Sequence, residues 1–319
     1  MLIQLSEEQL RDLAIMIRYM AETGMGTDEC LKQRCLPMPV HFYSPVPDIQ
    51  DLEQRDWFNR KSPLRGIEWR ANEQLAFLKK LGNAYGNECN WPPEDTGQPM
   101  QFYTENQSFS FGCAAITHCI IRQFCSKRVV EIGSGMSSLI ISGAFQRNNR
   151  TDGEYHIVDP YPQDWIPRLP MLTTLHQKRV EFMDEALFQE LQDGDVLFID
   201  SGHVVRTGSD VNFLVLDILP LLAPGVIVHF HDIPLPYEYG KIYFTNPQFR
   251  VFWTEAYLLQ AFLCFNHEYS IQLAMGYIMG NHIEEFKAAF PHYNPVFHKL
   301  SSGSFWIRRY KYSLERNKE

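Results

Sequence analysis

Two stretches of this 319-residue chain concentrate side chains that can move a proton or hold a charged ligand. DVLFIDSGHVVRTGSD (195–210) ends an apolar run on Asp200, with His203 three residues on. VIVHFHDI (226–233) ends another run on His229, His231 and Asp232. An imidazole with an unperturbed pKa of about 6.5 accepts a proton near neutrality, so His203 is a candidate general base and Asp200 its orienting partner. Asp200, His231 and Asp232 also make a mixed nitrogen and oxygen set of the kind that holds manganese, iron or zinc. A metal-free pair in which His231 orients a substrate is the alternative, and residue types alone leave both open. Strand alternation puts His229 and His231 on one face, with His229 deeper as a core histidine and Asp232 pointing away unless the strand has already ended. Arg206 and Asp210 read as a structural charge pair.

A third stretch, VVEIGSGMSS (129–138), follows an apolar run and opens a helix. Gly133 and Gly135 let the backbone turn tightly and approach a ligand. Ser138 stands where a dinucleotide fingerprint would carry its third glycine. Asp159 ends the next apolar run, where a carboxylate can accept both hydroxyls of a ribose. The pair implies a nucleoside-bearing cofactor, either a nicotinamide dinucleotide or S-adenosylmethionine. Glu131, just before the first glycine, would repel a pyrophosphate and tolerate a sulfonium.

These groups must be positioned by the alternation of short apolar strands and helices that begins near residue 111. CAAITHCIIRQF (113–124) predicts a helix and RVVEIG a strand; YHIVD (155–159), DVLFID (195–200) and GVIVHFHD (225–232) are further buried strands. Val211, Leu214, Val215, Ile218, Leu219 and Leu222 fall at helical spacing. The pattern predicts an α/β fold with a mostly parallel sheet covered on both faces. In such sheets ligands bind outside the carboxyl ends of the strands, which gathers Glu131–Gly133, Asp159, Asp200 and His231–Asp232 into one crevice. GSFWIRRY (303–310) reads as a strand paired antiparallel with 269–275. Ahead of this lies a helical, loop-rich segment, with a helix over 6–22 capped by Ser6 and Gln9 and a second from Ser62-Pro63 to Gly82. The predicted domains are 1–99 and 100–319.

Net charge is −9, without a long basic run, which argues against a nucleic-acid partner. The first residues lack a signal-peptide pattern and no run is long enough to span a bilayer, so no membrane partner is expected. Seven cysteines without a CxxC pair suit reduced thiols in the cytoplasm. WTEAYLLQAFLCF (253–265) is apolar on most sides and predicts a buried or homodimer-contact helix.

EIGSGMSS, DVLFIDSGHVVRTGSDV, LPLLAPGVIVHFHDI, WTEAYLLQAFL and GSFWIRR, in that order, resemble class I S-adenosylmethionine-dependent methyltransferases. More narrowly, they look like the bacterial type associated with saccharide and natural-product tailoring, over roughly residues 100 to 310. The resemblance implies a Rossmann-like, seven-stranded sheet with a reversed last strand. It places Glu131, Gly133, Ser134 and Gly135, with Ser137 and Ser138 of the same loop, around the methionine part of S-adenosylmethionine, and Asp159 on its ribose. Asp184, after a weaker strand near 179–182, would meet the adenine, and Tyr103 and Asn106 (in QFYTENQSFSFG, 101–112) would lie over the cofactor. Likeness to catechol-type O-methyltransferases implies a divalent metal held by Asp200 and the His231–Asp232 pair, with His203 as base. Histidine replacing an oxygen ligand, and histidine replacing lysine, are departures from that pattern. Tyr237 and Tyr239 (in PLPYEYGKIYF, 234–244) follow the strand end and offer aromatic faces to a small-molecule acceptor. The expected activity is O-methylation of a sugar or natural-product hydroxyl. A non-haem iron or other metal-dependent enzyme on the same scaffold, and an NAD-linked oxidoreductase, are the alternatives.

Overall fold

Apolar, β-branched runs buried on both faces are what a central parallel strand requires, and four of them build the middle of the sheet. The computed structural model describes residues 5–298 and 302–310. Its strands are β1 (Arg128–Ile132), β2 (Glu154–Val158), β3 (Thr174–His176), β4 (Val196–Ile199), β5 (Ile227–Phe230), β6 (Tyr269–Ala274) and β7 (Phe305–Arg309). They form one seven-stranded sheet in the order β3-β2-β1-β4-β5-β7-β6. The β1–β2, β1–β4, β2–β3 and β4–β5 pairs are parallel, and β7 runs antiparallel to both β5 and β6. The strand order reverses between β1 and β4, the switch point at which open α/β sheets bind ligands.

Helices flank this sheet where the periodicity places them. Phe111–Phe124 starts two residues earlier than the pattern suggests, because Ser110 caps it by accepting from the Cys113 N–H at 3.4 Å. Met136–Arg147 opens directly from the glycine loop. Residues 210–221 are helical as expected, but Phe213–Ile218 is wound as a π-helix.

Three expectations need correction. The helix expected from Ser62-Pro63 to Gly82 is instead Ala71–Tyr85. The weak strand expected near 179–182 is a 3-10 turn, Val180–Phe182, and the third strand lies earlier at Thr174–His176. The predicted boundary at 99/100 falls at 60/61. The chain divides into one compact unit of Lys61–Glu238 with Trp253–Glu319, and another of Met1–Arg60 with Tyr239–Phe252. Residues 61–99 join the sheet-bearing unit because Ala71–Tyr85 buries Gln74, Leu78 and Leu81, and Gln74 Oε1 accepts from the Ala274 N–H at 2.9 Å.

In the smaller unit, Glu7–Thr23 carries the expected Ser6–Gln9 capping box and ends on a left-handed Gly24. Its two chain segments are stitched by Lys241 Nζ to Glu53 Oε1 at 2.7 Å and by the Phe58 and Phe244 rings, 5.5 Å apart. Among the described residues no helix is long and apolar enough to cross a membrane.

Candidate active site

The carboxyl ends of β1, β2 and β4 open into a cleft of about 480 Å³ lined by Ile132, Gly133, Asp159, Tyr161, Glu181 and Asp200, among others. Of the glycine loop, Gly133 lines it. Gly133 sits at φ 83°, and a Cβ there would stand 2.1 Å from the Asp200 carbonyl oxygen, so the close approach of β1 to β4 admits only glycine. Gly135 is different. A Cβ there meets nothing within 4 Å, and its φ of 164° is extended backbone open to any residue. Ser134 Oγ donates to Asp159 Oδ2, while Asp159 Oδ1 accepts from the Tyr161 N–H at 2.7 Å. The carboxylate is thus held at the lip of the cleft by two donors.

Beneath the loop, Glu131 is fully buried at the end of β1. Its carboxyl accepts from Ser137 Oγ at 2.7 Å, from Ser138 Oγ at 2.8 Å and from the Tyr155 hydroxyl. Ser138 Oγ also accepts from the Gly135 N–H at 3.1 Å, tying the loop to the buried acid. Burial pushes the Glu131 carboxyl up to about 7, against the opposing pull of these three hydroxyls. Ser137 and Ser138 therefore brace Glu131 and fix the mouth of the helix Met136–Arg147.

At Asp200, four side chains converge from two segments, the loop after β4 and the turn after β5. His203 Nε2 lies 3.4 Å from Asp200 Oδ1 and 3.8 Å from Asp232 Oδ2. His231 Nδ1 lies 3.5 Å from each of the same two oxygens. These separations exceed direct hydrogen-bond lengths, so imidazoles and carboxylates alternate around a shared gap. Asp232 reaches it because β5 has ended at Phe230 and Asp232 takes φ 54°, which swings its side chain back to the His231 side. The turn is packed tightly: a Cβ on Gly303 would stand 2.7 Å from Asp232 Cα. His203 is likewise left-handed, at φ 56°. Its loop is pinned by Asp210 Oδ2, which accepts from the Gly202 N–H at 2.6 Å.

Behind His203 stands a residue the sequence pattern did not single out. Glu255 is 1% exposed, and its Oε2 is 2.8 Å from His203 Nδ1; its other oxygen is buried without a partner. The His203 carbonyl accepts from the Thr254 and Glu255 N–H groups at 2.9 and 3.1 Å, and the Trp253 ring packs against the imidazole at 4.6 Å. Burial alone would lower the pKa of His203, but Asp200 and Glu255 raise it to about 10. Despite burial, Asp200 and Asp232 likewise hold His231 well above its usual value. Burial opposes ionisation of Asp200, yet His231 and His203 keep its carboxyl well below the usual range.

Residues 130–233, the segment that carries β1, the glycine loop, β4 and β5, match a family model described as a methyltransferase domain. The seven-stranded sheet with β7 reversed is the one the class I resemblance implies. The chain carries a methyltransferase domain over that segment, on a class I methyltransferase fold. An uncharacterized protein of Archaeoglobus fulgidus is 30% identical over 169 residues, which is 51% of this chain and 72% of that one. Two solved structures are more distant. The S-adenosylhomocysteine-bound methyltransferase PaMTH1 of Podospora anserina has TM-score 0.36 and 16% identity, over 62% of this chain and 78% of its own. The O-methyltransferase TomG of Streptomyces achromogenes, involved in tomaymycin synthesis and in complex with S-adenosylmethionine, has TM-score 0.39 and 11% identity, over 82% and 96%.

The methyltransferase's cofactor is S-adenosylmethionine, and the cleft fits it. Gly135 leaves its Cβ side open, and the Asp159 carboxylate is presented at the lip; the methyltransferase domain favours this cofactor over the nicotinamide alternative. Other expected residues are placed elsewhere. Asp184 is exposed, outside the cleft lining, and accepts from the Ala186 N–H at 3.0 Å just ahead of a short helix. With the third strand ending at His176, the acid that lines the cleft is Glu181. Asn106 is buried and spent inside its own turn, donating to the Tyr103 and Phe109 carbonyls at 2.6 and 2.9 Å. Tyr103 and Asn106 thus shape the connector before Phe111–Phe124, and neither lines the cleft. The Tyr237 hydroxyl accepts from Asn281 Nδ2 at 2.7 Å and stands over Gly280, so it packs against a helix. Tyr239 belongs to the smaller unit, its ring 6.4 Å from that of Tyr243. His229 is the core histidine expected, stacked on Phe198 at 3.8 Å.

Asp200, His231 and Asp232, expected as metal ligands, face one gap, while among the described residues no three His, Cys, Asp or Glu side chains are arranged to hold an ion. The two carboxylates are matched instead by the imidazoles of His203 and His231. The two carboxylates on either side of the His203 ring raise it above the range of a free imidazole. Glu255 could have been noticed as the one acid in an otherwise apolar run, WTEAYLLQAFL.

Proposed function

We propose that this methyltransferase methylates a hydroxyl oxygen of a small acceptor, a sugar or a natural-product scaffold of the kind handled by bacterial tailoring enzymes, with His203 receiving the hydroxyl proton. The observation that carries the reading is the Glu255–His203 pair, 2.8 Å apart, which leaves Nε2 facing the gap shared with Asp200 and Asp232. A buried carboxylate on Nδ1 fixes the ring and stabilises the imidazolium formed when Nε2 takes a proton, the division of labour of a carboxylate–histidine pair. The bound cofactor supplies the methyl group on a sulfonium, so the chain's own contribution is positioning and proton removal. Asp159 and the glycine loop hold the cofactor; Asp200 orients Nε2; His231 faces the incoming oxygen.

Replacing His203 with alanine tests this. Turnover on a panel of hydroxylated acceptors should fall about 10²–10⁴-fold, with affinity for S-adenosylhomocysteine unchanged by calorimetry. Turnover within about threefold of the parent would remove His203 from the proton path.

A second role is favoured by the charge state of the pair. Held protonated, His203 and His231 would stabilise an acceptor that arrives already ionised, such as an acidic phenol. The two roles have opposite pH dependences above neutrality.

A further inference from the structure

The helix Met136–Arg147 begins at the cofactor loop, but its later turns line a second pocket of about 370 Å³ that shares no residue with the cleft. Its floor is Leu139, Ile140 and Gly143, and a Cβ on Gly143 would meet nothing within 4 Å. One wall is the half-buried indole of Trp91. Phe102, Phe111 and His118 hold that ring in edge-on contacts at 5.4, 5.9 and 6.0 Å. Such contacts fix its plane before any ligand arrives. At the back, Glu88 is held by His118 Nε2 at 2.8 Å and by Arg122 Nε and Nη2 at 3.0 and 3.2 Å. Asn90, Gln146 and Arg147 stand exposed at the rim.

A fixed aromatic face over an apolar floor, ringed by planar amide, carboxylate and guanidinium groups, matches one ligand chemistry well. A pyranose ring offers an apolar C–H face to an indole and a belt of hydroxyls to groups that bond in pairs. The volume lies in the range of small-molecule sites. Arg122 already neutralises Glu88, while Arg147 sits 4.0 Å from Glu88 and remains 57% exposed, which leaves positive charge for the ligand to meet. We propose that this pocket binds a saccharide unit bearing an acidic substituent, at a site separate from methyl transfer.

Calorimetry of the full chain saturated with S-adenosylhomocysteine, titrated with glucuronic acid and with methyl glucoside up to about 50 mM, tests this. Glucuronic acid should bind, quench tryptophan fluorescence and be preferred over methyl glucoside. Gln146→Ala and Asn90→Ala should each weaken it about tenfold, with methyl transfer unchanged, and Arg147→Ala should erase the preference. Absence of binding by either sugar, equal binding of both by the parent, or binding untouched in Gln146→Ala would overturn the proposal. The sugar-binding readouts use no turnover on an acceptor, so they stand or fall independently of the role of His203.

Discussion

His203 and Glu255 lie 52 residues apart in the chain, yet their side chains meet at 2.8 Å, with the carboxylate 1% exposed and the imidazole 8%. The backbone joins them as well, because the His203 carbonyl accepts from the Glu255 N–H at 3.1 Å. The loop after β4 and the helix Glu255–Leu263 are therefore locked at the point where the imidazole turns towards the cleft.

Glu255→Gln keeps the shape and removes the charge. Glu255 helps to raise the His203 pKa, so its loss should lower that pKa and move the rising limb of kcat/KM to lower pH by about one unit or more. The plateau should fall about tenfold or further as the ring loses its anionic anchor. A merely structural role would reduce protein yield and leave the profile in place.

In the parent, with His203 raised to about 10, only a minor neutral fraction exists near pH 7. If His203 accepts the proton, log kcat/KM should climb with a slope of about one between roughly pH 7 and 9. A flat or falling profile over that window would assign the pair to stabilising an ionised acceptor.

Chelation should leave turnover within about twofold, since Asp200 and Asp232 are already faced by two imidazoles. Loss of more than about tenfold, restored by manganese or magnesium, would show instead that a metal orients the acceptor.

Glu131 gives a stability prediction with a definite sign. Its carboxyl is raised from 4.5 to about 7 by burial, so between those values the folded protein binds more protons than the unfolded chain. Its stabilising contribution is thus complete below about 4.5 and is lost as pH rises through 7, an effect of roughly 3 kcal/mol. Urea midpoints of the cofactor-free protein at about pH 5 and 8 should differ more for the parent than for Glu131→Gln. Equal differences in both would remove Glu131 as the source.

Much of this architecture was legible because its signals are local. The runs at Val129–Ile132, Val196–Ile199 and 226–230 need burial on both faces, and the Ser6–Gln9 cap is a four-residue motif. The rule that ligands meet the carboxyl ends of strands brought Asp200 and His231–Asp232 together, and in the structure they share a gap with His203. What failed depended on contacts far apart in the chain. Thr174–His176 is a three-residue, half-buried edge strand with little apolar signal, so Asp184 was placed where Glu181 stands. Glu255 is the one acid in the apolar run WTEAYLLQAFL, and only the fold brings His203 to it. The charge state of His203 follows from those same two neighbours, which no spacing rule encodes.

Strand β7 follows every other strand in the chain but lies inside the sheet, between β5 and β6. The residues leading into it also close the site: the Gly303 carbonyl accepts from the Ile233 N–H at 3.0 Å, and Gly303 packs under the left-handed Asp232. During synthesis, β5 and β6 must therefore wait with unpaired edges while the intervening chain emerges from the ribosome. The turn that carries Asp232 gains its backing only when β7 slots in. Completion of the sheet and closure of the turn that carries Asp232 are therefore one event.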